Sequence, residues 1–452
     1  MKIIVIGCGK IGTTIMASLA AEGHDVTVID NDPTVLAEVA NLYDVMSVCG
    51  SATDCETLAE AGAATAELFV AATGSDELNV LSCFLAGKMG AAHTIARIRE
   101  PGHSEQSLNF IKQHIGLAMA INPELLAAQE LYHNLKLPSA AKIESFSRRN
   151  FEMVELLLKA DSPLVGVPLS ELRNRYDAKF LIGVVQRGEE VYIPDGSFVL
   201  QDGDRVGLLA APTEVLRLLR ALGETRRQAR NVMILGGSRV AYYLTQRLIA
   251  SGNDVKIVEI NRDVCEELCE ALPKATIIHG DGAQQELLLE EGLRDMDAFV
   301  ALTGMDEENI LLSYFAASQA VPKVIAKVNR DEFDDLAERL GLESTVTPRK
   351  LVADVVLRYA RALQNSVGSD IETLYTLMDD HAEAVEFLVR EDSALLNIPL
   401  KQLQLKPRIL IAGILRDRRP IIPTGDDRIL KGDRVVVLAT GQHLQSLAEI
   451  LK

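Results

Sequence analysis

One stretch of about thirty residues is written twice in this chain, and it constrains the fold more than any other feature. Lys2 to Ile6 is an apolar, β-branched run that stops at Gly7. Gly9 and Gly12 follow before a helix-patterned segment to Glu22, and a second β-branched run, Val26 to Ile29, ends on Asp30, twenty-three positions after Gly7. The order is strand, tight turn, helix, strand. The run opening at Asn231 repeats it, with Gly236 in the place of Gly7 and Glu259 again twenty-three positions later. Thr73-Gly74-Ser75-Asp76 and Asn79 recur as Thr303-Gly304-Met305-Asp306 and Asn309, Lys327 falls at the position of Arg97, and Thr347-Pro348 takes the slot of Asn122-Pro123.

Between these landmarks the first copy alternates strand and helix patterns. Strands are predicted at Val45 to Cys49, Leu68 to Ala72, His93 to Ile98 and Leu117 to Ile121. Helices are predicted at Pro33 to Ala40, from Asp76, and from Asn122-Pro123 through Leu135. Thr53 and Asp54 stand ready to cap a further helix. A continuous apolar strand such as Leu68 to Ala72 belongs to a parallel sheet covered on both faces. Leu137-Pro138-Ser139 breaks the pattern, and short β-rich runs from Phe151 to Leu209 follow, then helical spacing from Thr213 to Leu222 and a polar linker, residues 223–230. The β-rich texture returns after the second copy in Asn397-Ile398-Pro399-Leu400, Ile422-Pro423-Thr424-Gly425 and Leu430-Lys431-Gly432-Asp433. The expected fold class is α/β: two Rossmann-like doubly wound parallel sheets, over residues 1–136 and 230–362, each followed by a small α+β domain, over 140–224 and 370–452.

The glycine turns carry the chemistry. Gly7 permits the turn, Gly9 lets backbone N–H groups approach a pyrophosphate, and Gly12 allows helix and strand to pack closely. The helix N-terminus offers partial positive charge to phosphates. Asp30 would accept from ribose hydroxyls and repel the extra phosphate of NADP. Thr73 and Gly74, at the carboxyl end of a strand, fall beside a cofactor's distal half or make a plain helix-initiating turn. Arg97 reaches toward phosphates or marks a solvent-facing strand end.

Composition narrows the function. A formal charge of -18 disfavours nucleic acid and anionic lipid surfaces, and the absence of Trp with 4% aromatic residues counts against base stacking. No apolar run approaches the roughly 20 residues that span a bilayer, and Met1 opens directly into a strand, which leaves no room for a signal peptide. The expected location is the cytosol. Cysteines at positions 8, 49, 55, 83, 265 and 269 form no CxxC pair, so neither disulfide nor metal site is expected, and Cys265 and Cys269 read as thiols on successive helical turns. The eight histidines, at 24, 93, 103, 114, 133, 279, 381 and 443, are scattered without correspondence between repeats. An NAD-dependent dehydrogenase, the rival use of such a turn, needs a proton relay, usually His, Lys or Tyr with an orienting partner, and nothing in the small segments offers one, so no catalytic residue and no enzyme activity are expected.

IVIGCGKIG, AATGSDELN, ALTGMDEEN, the ARIR strand and the PL…L…G…G…P…L..GD pattern of both small segments resemble the RCK or KTN family of cytosolic K+ transport regulators, in the tandem form that serves Trk-type potassium uptake. The likeness covers essentially the whole chain. It implies Rossmann units that bind NAD(H) or adenine nucleotides such as ATP and ADP, a homo-oligomeric ring, and a membrane pore subunit of the TrkH or TrkG type as partner. It also implies a helix after the sixth strand that crosses to a neighbouring domain. By that resemblance the first site uses Gly7, Cys8, Gly9, Lys10 and Ile11 at the phosphates, Asp30 at the ribose, Ser51 near the adenine, and Thr73, Gly74 and Arg97 farther along. The second uses Gly236, Gly237, Ser238, Arg239 and Val240, then Glu259, Asp281, Thr303, Gly304 and Lys327. Ser238 and Ala241 depart from the glycine pattern, and Ser238 is expected to crowd a pyrophosphate, leaving the second site weaker or selective for a different nucleotide.

Overall fold

The structure is a computed structural model and describes residues 1–99, 110, 114–136, 142–146, 150–222, 229–342, 344–366, 371–378, 381–390, 395–442, 444 and 446–452. The break at Leu137-Pro138-Ser139, most of the linker and His103 and His443 lie outside the described residues. Contacts divide the chain into two compact units, Met1–Tyr132 with Arg230–Ala360, and His133–Ala229 with Arg361–Lys452. The two glycine-turn copies therefore form one unit and the two β-rich segments the other.

The first copy contributes β1 (Lys2–Ile6), α1 (Lys10–Ala21), β2 (Asp25–Asp30), α2 (Pro33–Leu42), β3 (Met46–Cys49), α3 (Cys55–Glu60), β4 (Leu68–Ala71), α4 (Asp76–Met89), β5 (His93–Arg97), β6 (Met119–Ile121) and α5 (Pro123–Lys136). All strand pairs are parallel and the order is β3-β2-β1-β4-β5-β6. The direction of winding reverses between β1 and β4, which opens a crevice at their carboxyl ends. Ile4, Ile6, Phe69 and Ala71 are buried on β1 and β4, as continuous apolar strands require. Burying a side chain such as Phe69 stabilises the fold by roughly 1.5–3 kcal/mol.

Several strands are shorter than their apolar runs. Ala72 and Ile98 still donate to Ile6 O and Ile121 O at 2.9 Å, but the chain turns away there toward the crevice. Val45 and Leu117 likewise lie outside β3 and β6. The helices start where capping chemistry allows: Asp32, Asp54 and Ser75 accept from Thr34 N, Thr57 N and Leu78 N. Asp54, and not Thr53, is the cap of α3; the Thr53 N–H instead meets Ser51 Oγ.

The first β-rich segment folds as β7 (Lys142–Phe146), β8 (Phe151–Leu157), α6 (Leu169–Arg175), β9 (Phe180–Arg187), β10 (Glu190–Tyr192), β11 (Arg205–Ala210) and α7 (Pro212–Ala221). Its antiparallel order is β10-β9-β11-β8-β7. The second glycine-turn copy supplies β12 (Asn231–Leu235), α8 (Arg239–Ala250), β13 (Asp254–Glu259), α9 (Arg262–Ala271), β14 (Thr276–His279), α10 (Gln285–Glu290), β15 (Ala298–Ala301), α11 (Asp306–Ser318), β16 (Lys323–Lys327), α12 (Asp331–Arg339), β17 (Thr345–Val346) and α13 (Pro348–Ser366). Its order, β14-β13-β12-β15-β16-β17, repeats the first. Last come β18 (Ile371–Leu377), β19 (Ala382–Leu388), β20 (Ile409–Arg416), β21 (Arg419–Ile421) and β22 (Arg434–Thr440), in the order β18-β19-β22-β20-β21. Read from its other edge, that sheet has the same ladder as the first small one.

The GD of each small segment has a structural role. Asp204, fully buried, accepts from Arg187 Nε and a terminal guanidinium nitrogen, both at 2.7 Å, and from Gln201 N at 2.8 Å. Asp433 does the same with Arg416 and Leu430 N. The two small sheets share a core in which Phe151, Met153 and Val184 meet Ala384, Val436 and Leu438. Among the described residues no helix is long and apolar enough to cross a membrane.

Candidate functional site

At the first turn, Gly7 has φ of 86°, and a Cβ there would lie 2.9 Å from the Thr73 backbone. Glycine is the residue that takes this conformation without strain. A Cβ on Gly12 would lie 1.8 Å from Gly7 O, so the start of α1 rests directly on the turn. Gly9, the N-cap of α1, has no side-chain cap, and the space a Cβ would occupy there is open. The first N–H groups of α1 thus meet the crevice without competition from a side chain of the cap. Asp30, at the tip of β2, accepts from Cys8 N at 2.6 Å and from Asp32 N at 3.0 Å, tying the turn to the next loop. Cys8 is buried beneath the turn; burial, reinforced by the Asp30 charge, pushes its thiol up to about 12. Ser51 Oγ shares a hydrogen bond with Thr53 Oγ1 at 2.9 Å.

The crevice floor is built by Asn79, which is fully buried on α4. Its Oδ1 accepts from Thr73 N at 2.9 Å and Thr73 Oγ1 at 2.7 Å, and its Nδ2 donates to Arg97 O at 2.9 Å. The ends of β4 and β5 are therefore held by one amide. Arg97 is half-buried and donates to Thr73 O at 2.9 Å; burial, then the neighbouring Arg99, holds its pKa below the ordinary guanidinium value. Arg99 donates to Gly74 O at 3.0 Å.

The second copy repeats this frame and alters its mouth. Gly236 takes φ of 92°, Glu259 accepts from Gly237 N and from Asn261 N, and Asn309 holds Thr303 N and Oγ1 together with Lys327 O. Asp281 accepts from Ala283 N at 3.0 Å, and Gly304 has open space around it. Ser238, expected to crowd a pyrophosphate, turns its Oγ onto Ala241 N at 3.4 Å and so caps α8 from within. Arg239 lies close enough to Arg97 for its charge to add to the lowering of the Arg97 pKa, as the least of the causes.

A cavity of about 670 Å³ brings the predicted residues together unevenly. Gly7, Gly9, Lys10, Ile11, Asp30 and Ser51 line it, then Thr73, Gly74 and Arg97. From the second copy come Val240 and Lys327, with Asn329, Pro348 and Arg349 beside them. The lining does not include Cys8, Gly236, Gly237, Ser238, Arg239, Glu259, Asp281, Thr303 or Gly304. Lys327, expected at a separate second site, thus borders the same space as Arg97; it donates to Leu302 O at 3.3 Å, and burial lowers its pKa. Glu124, Asn329 and Arg349 were not singled out as site residues. The matched slots of Pro123 and Pro348 were the signal that pointed near them.

The crossover helices explain how the halves meet. On the α5 side, Asn122 donates to the Tyr243 hydroxyl at 3.3 Å and Tyr132 pairs with Ser251. On α13, Tyr359 meets His93 Nδ1 at 3.2 Å. Each helix leaves one sheet and packs on the other half. Among the described residues no group of three or more His, Cys, Asp or Glu is placed to hold a metal ion.

The model of the TrkA-N domain matches residues 3–123 and 232–348, and that of the TrkA-C domain matches 153–223 and 384–452. The chain belongs to the TrkA family. A Trk system potassium uptake protein TrkA homolog of Archaeoglobus fulgidus is 32% identical over 454 residues, covering 100% of both chains. Among solved structures, the GsuK RCK domain superposes with a TM-score of 0.63 at 17% identity, covering 97% of this chain and 92% of that one. The GsuK channel bound to NAD gives a TM-score of 0.63 at 17% identity, covering 97% of this chain and 77% of that one. The tandem of TrkA-N and TrkA-C domains is thus an RCK-type fold, and the TrkA relatives carry the names of potassium uptake components rather than of enzymes.

Proposed function

We propose that this TrkA-family chain is a nucleotide-sensing regulatory subunit of a Trk-type potassium uptake system. It works on the cytosolic face of the membrane and controls a pore subunit of the TrkH or TrkG type as part of a homo-oligomeric ring. NAD(H) is the ligand at the first turn, with ATP or ADP as the competing class. The observation that carries this reading is the uncapped turn of Gly7 to Lys10, open to a cavity that Asp30 and Ser51 also line. GsuK, which shares the fold, was solved both with NAD and with ADP. A nucleotide moves the assembly only by binding two conformations unequally, and a coupling of about 1–3 kcal/mol is sufficient. Helices α5 and α13 are the levers, since each joins the sheet it leaves to the other half.

A dehydrogenase would place a proton relay of His, Lys or Tyr with an orienting partner beside the nicotinamide; the cavity lining holds neither His nor Tyr, and of its two lysines, Lys10 and Lys327, the latter donates to a main-chain carbonyl, Leu302 O. The test is a calorimetric titration of the pure chain with NADH, NAD, ATP and ADP, beside a pull-down with the pore subunit. Binding of at least one nucleotide without consumption is the expected result. Silence with all four, or loss of the nicotinamide absorbance with turnover, removes the sensing role.

A further inference from the structure

We propose that the two Rossmann halves make one nucleotide site between them, the second half serving as the closing wall of the first crevice with Lys327 and Arg349 directed at the ligand's phosphates. This rests on the nucleotide reading above. The cavity crosses the axis that relates the repeats: Ile11 and Val240, Arg97 and Lys327, Pro123 and Pro348, and Glu124 and Arg349 are equivalent pairs, and both members of each line it. Away from that axis the symmetry ends. The glycine turn, the acid and the adenine-side serine in the lining are Gly9, Asp30 and Ser51, all from the first copy. The corresponding turn of the second copy is capped by its own Ser238.

Charge agrees with this assignment. Lys10, Arg97, Lys327 and Arg349 face two carboxylates, Asp30 and Glu124, so the lining is net cationic in a chain whose formal charge is -18. Burial leaves the Lys327 ammonium poorly solvated, which the charges of Asp306 and Glu124 only partly offset, and a phosphate adds counter-charge. The ligand class is an adenine nucleotide carrying a pyrophosphate or longer phosphate chain. Its occupancy is then felt by the second half through direct contact.

Titrating NADH and ATP into the full chain reads both stoichiometry and affinity. One ligand per chain is expected. Lys327→Met and Arg349→Met should each weaken binding by about tenfold or more, the loss of one charge-assisted contact, while Lys327→Arg retains it. Two ligands per chain, or full affinity in both Met variants while Asp30→Ala loses binding, would overturn the shared site and leave the first crevice standing. If Asp30→Ala itself binds normally, the nucleotide reading falls with it.

Discussion

Gly12 and its counterpart Ala241 show how much one methyl group decides. A Cβ at 12 would meet Gly7 O at 1.8 Å, whereas the second copy carries a methyl group in the equivalent place, on the fully buried Ala241. Gly12→Ala should therefore cost about 1–3 kcal/mol, read as a lower urea midpoint. Asp30→Ala removes an acceptor from two backbone N–H groups at the rim of the turn; it should weaken nucleotide binding about tenfold and, because the buried Cys8 N–H loses its partner, also lower the melting temperature. Cys8 answers to pH. Its folded thiol titrates at about 12 against an ordinary 9.0, so the stability held by the protonated form is present below pH 9 and lost as pH rises toward 12. Urea melts at pH 8 and pH 10 should differ less in Cys8→Ala than in the parent chain. The glycine pattern was legible in the sequence because its residues fall within one turn, and the acid because it ends the next strand at a fixed spacing, twenty-three positions after Gly7. The Ser238 cap was not, since a serine at that place either meets a ligand or satisfies its own helix, and only the side-chain rotamer distinguishes the two.

At the scale of the element, the repeated Asn79 and Asn309 matter most. Both are fully buried and each joins the end of one strand to the end of the next. Asn79→Ala strands the Thr73 N–H and Arg97 O and should cost about 1–3 kcal/mol in thermal unfolding. The loss should be matched by Asn309→Ala, because the geometry is the same. The matched TGxDxxN segments made these residues visible in the sequence as a repeat, but not their task. A buried amide bridging residues six and eighteen positions away requires β4 and β5 to be adjacent in the sheet.

For the whole molecule, the proposed ring would make its own demand on the surface. Leu81 on α4 and Leu311 on α11 are 47% and 65% exposed at equivalent positions of the two copies, with Tyr314 also exposed on α11. If these faces join copies of the chain, Leu311→Glu should lower the mass of the assembly in light scattering while leaving the circular dichroism unchanged. By itself the sequence determined the strand-turn-helix order, the parallel sheets and the two small β-rich folds. Those follow from apolar periodicity, turn residues and capping, which operate over a few residues to a few tens. Only the tertiary structure decided that like segments pair with like, that the crossing implied for α5 and α13 is onto the other Rossmann half of the same chain, and that Lys327 and Arg349 border the same cavity as Gly7. The physical reason is distance along the chain: residues more than two hundred positions apart meet through the shape and charge of finished surfaces, which no local pattern encodes.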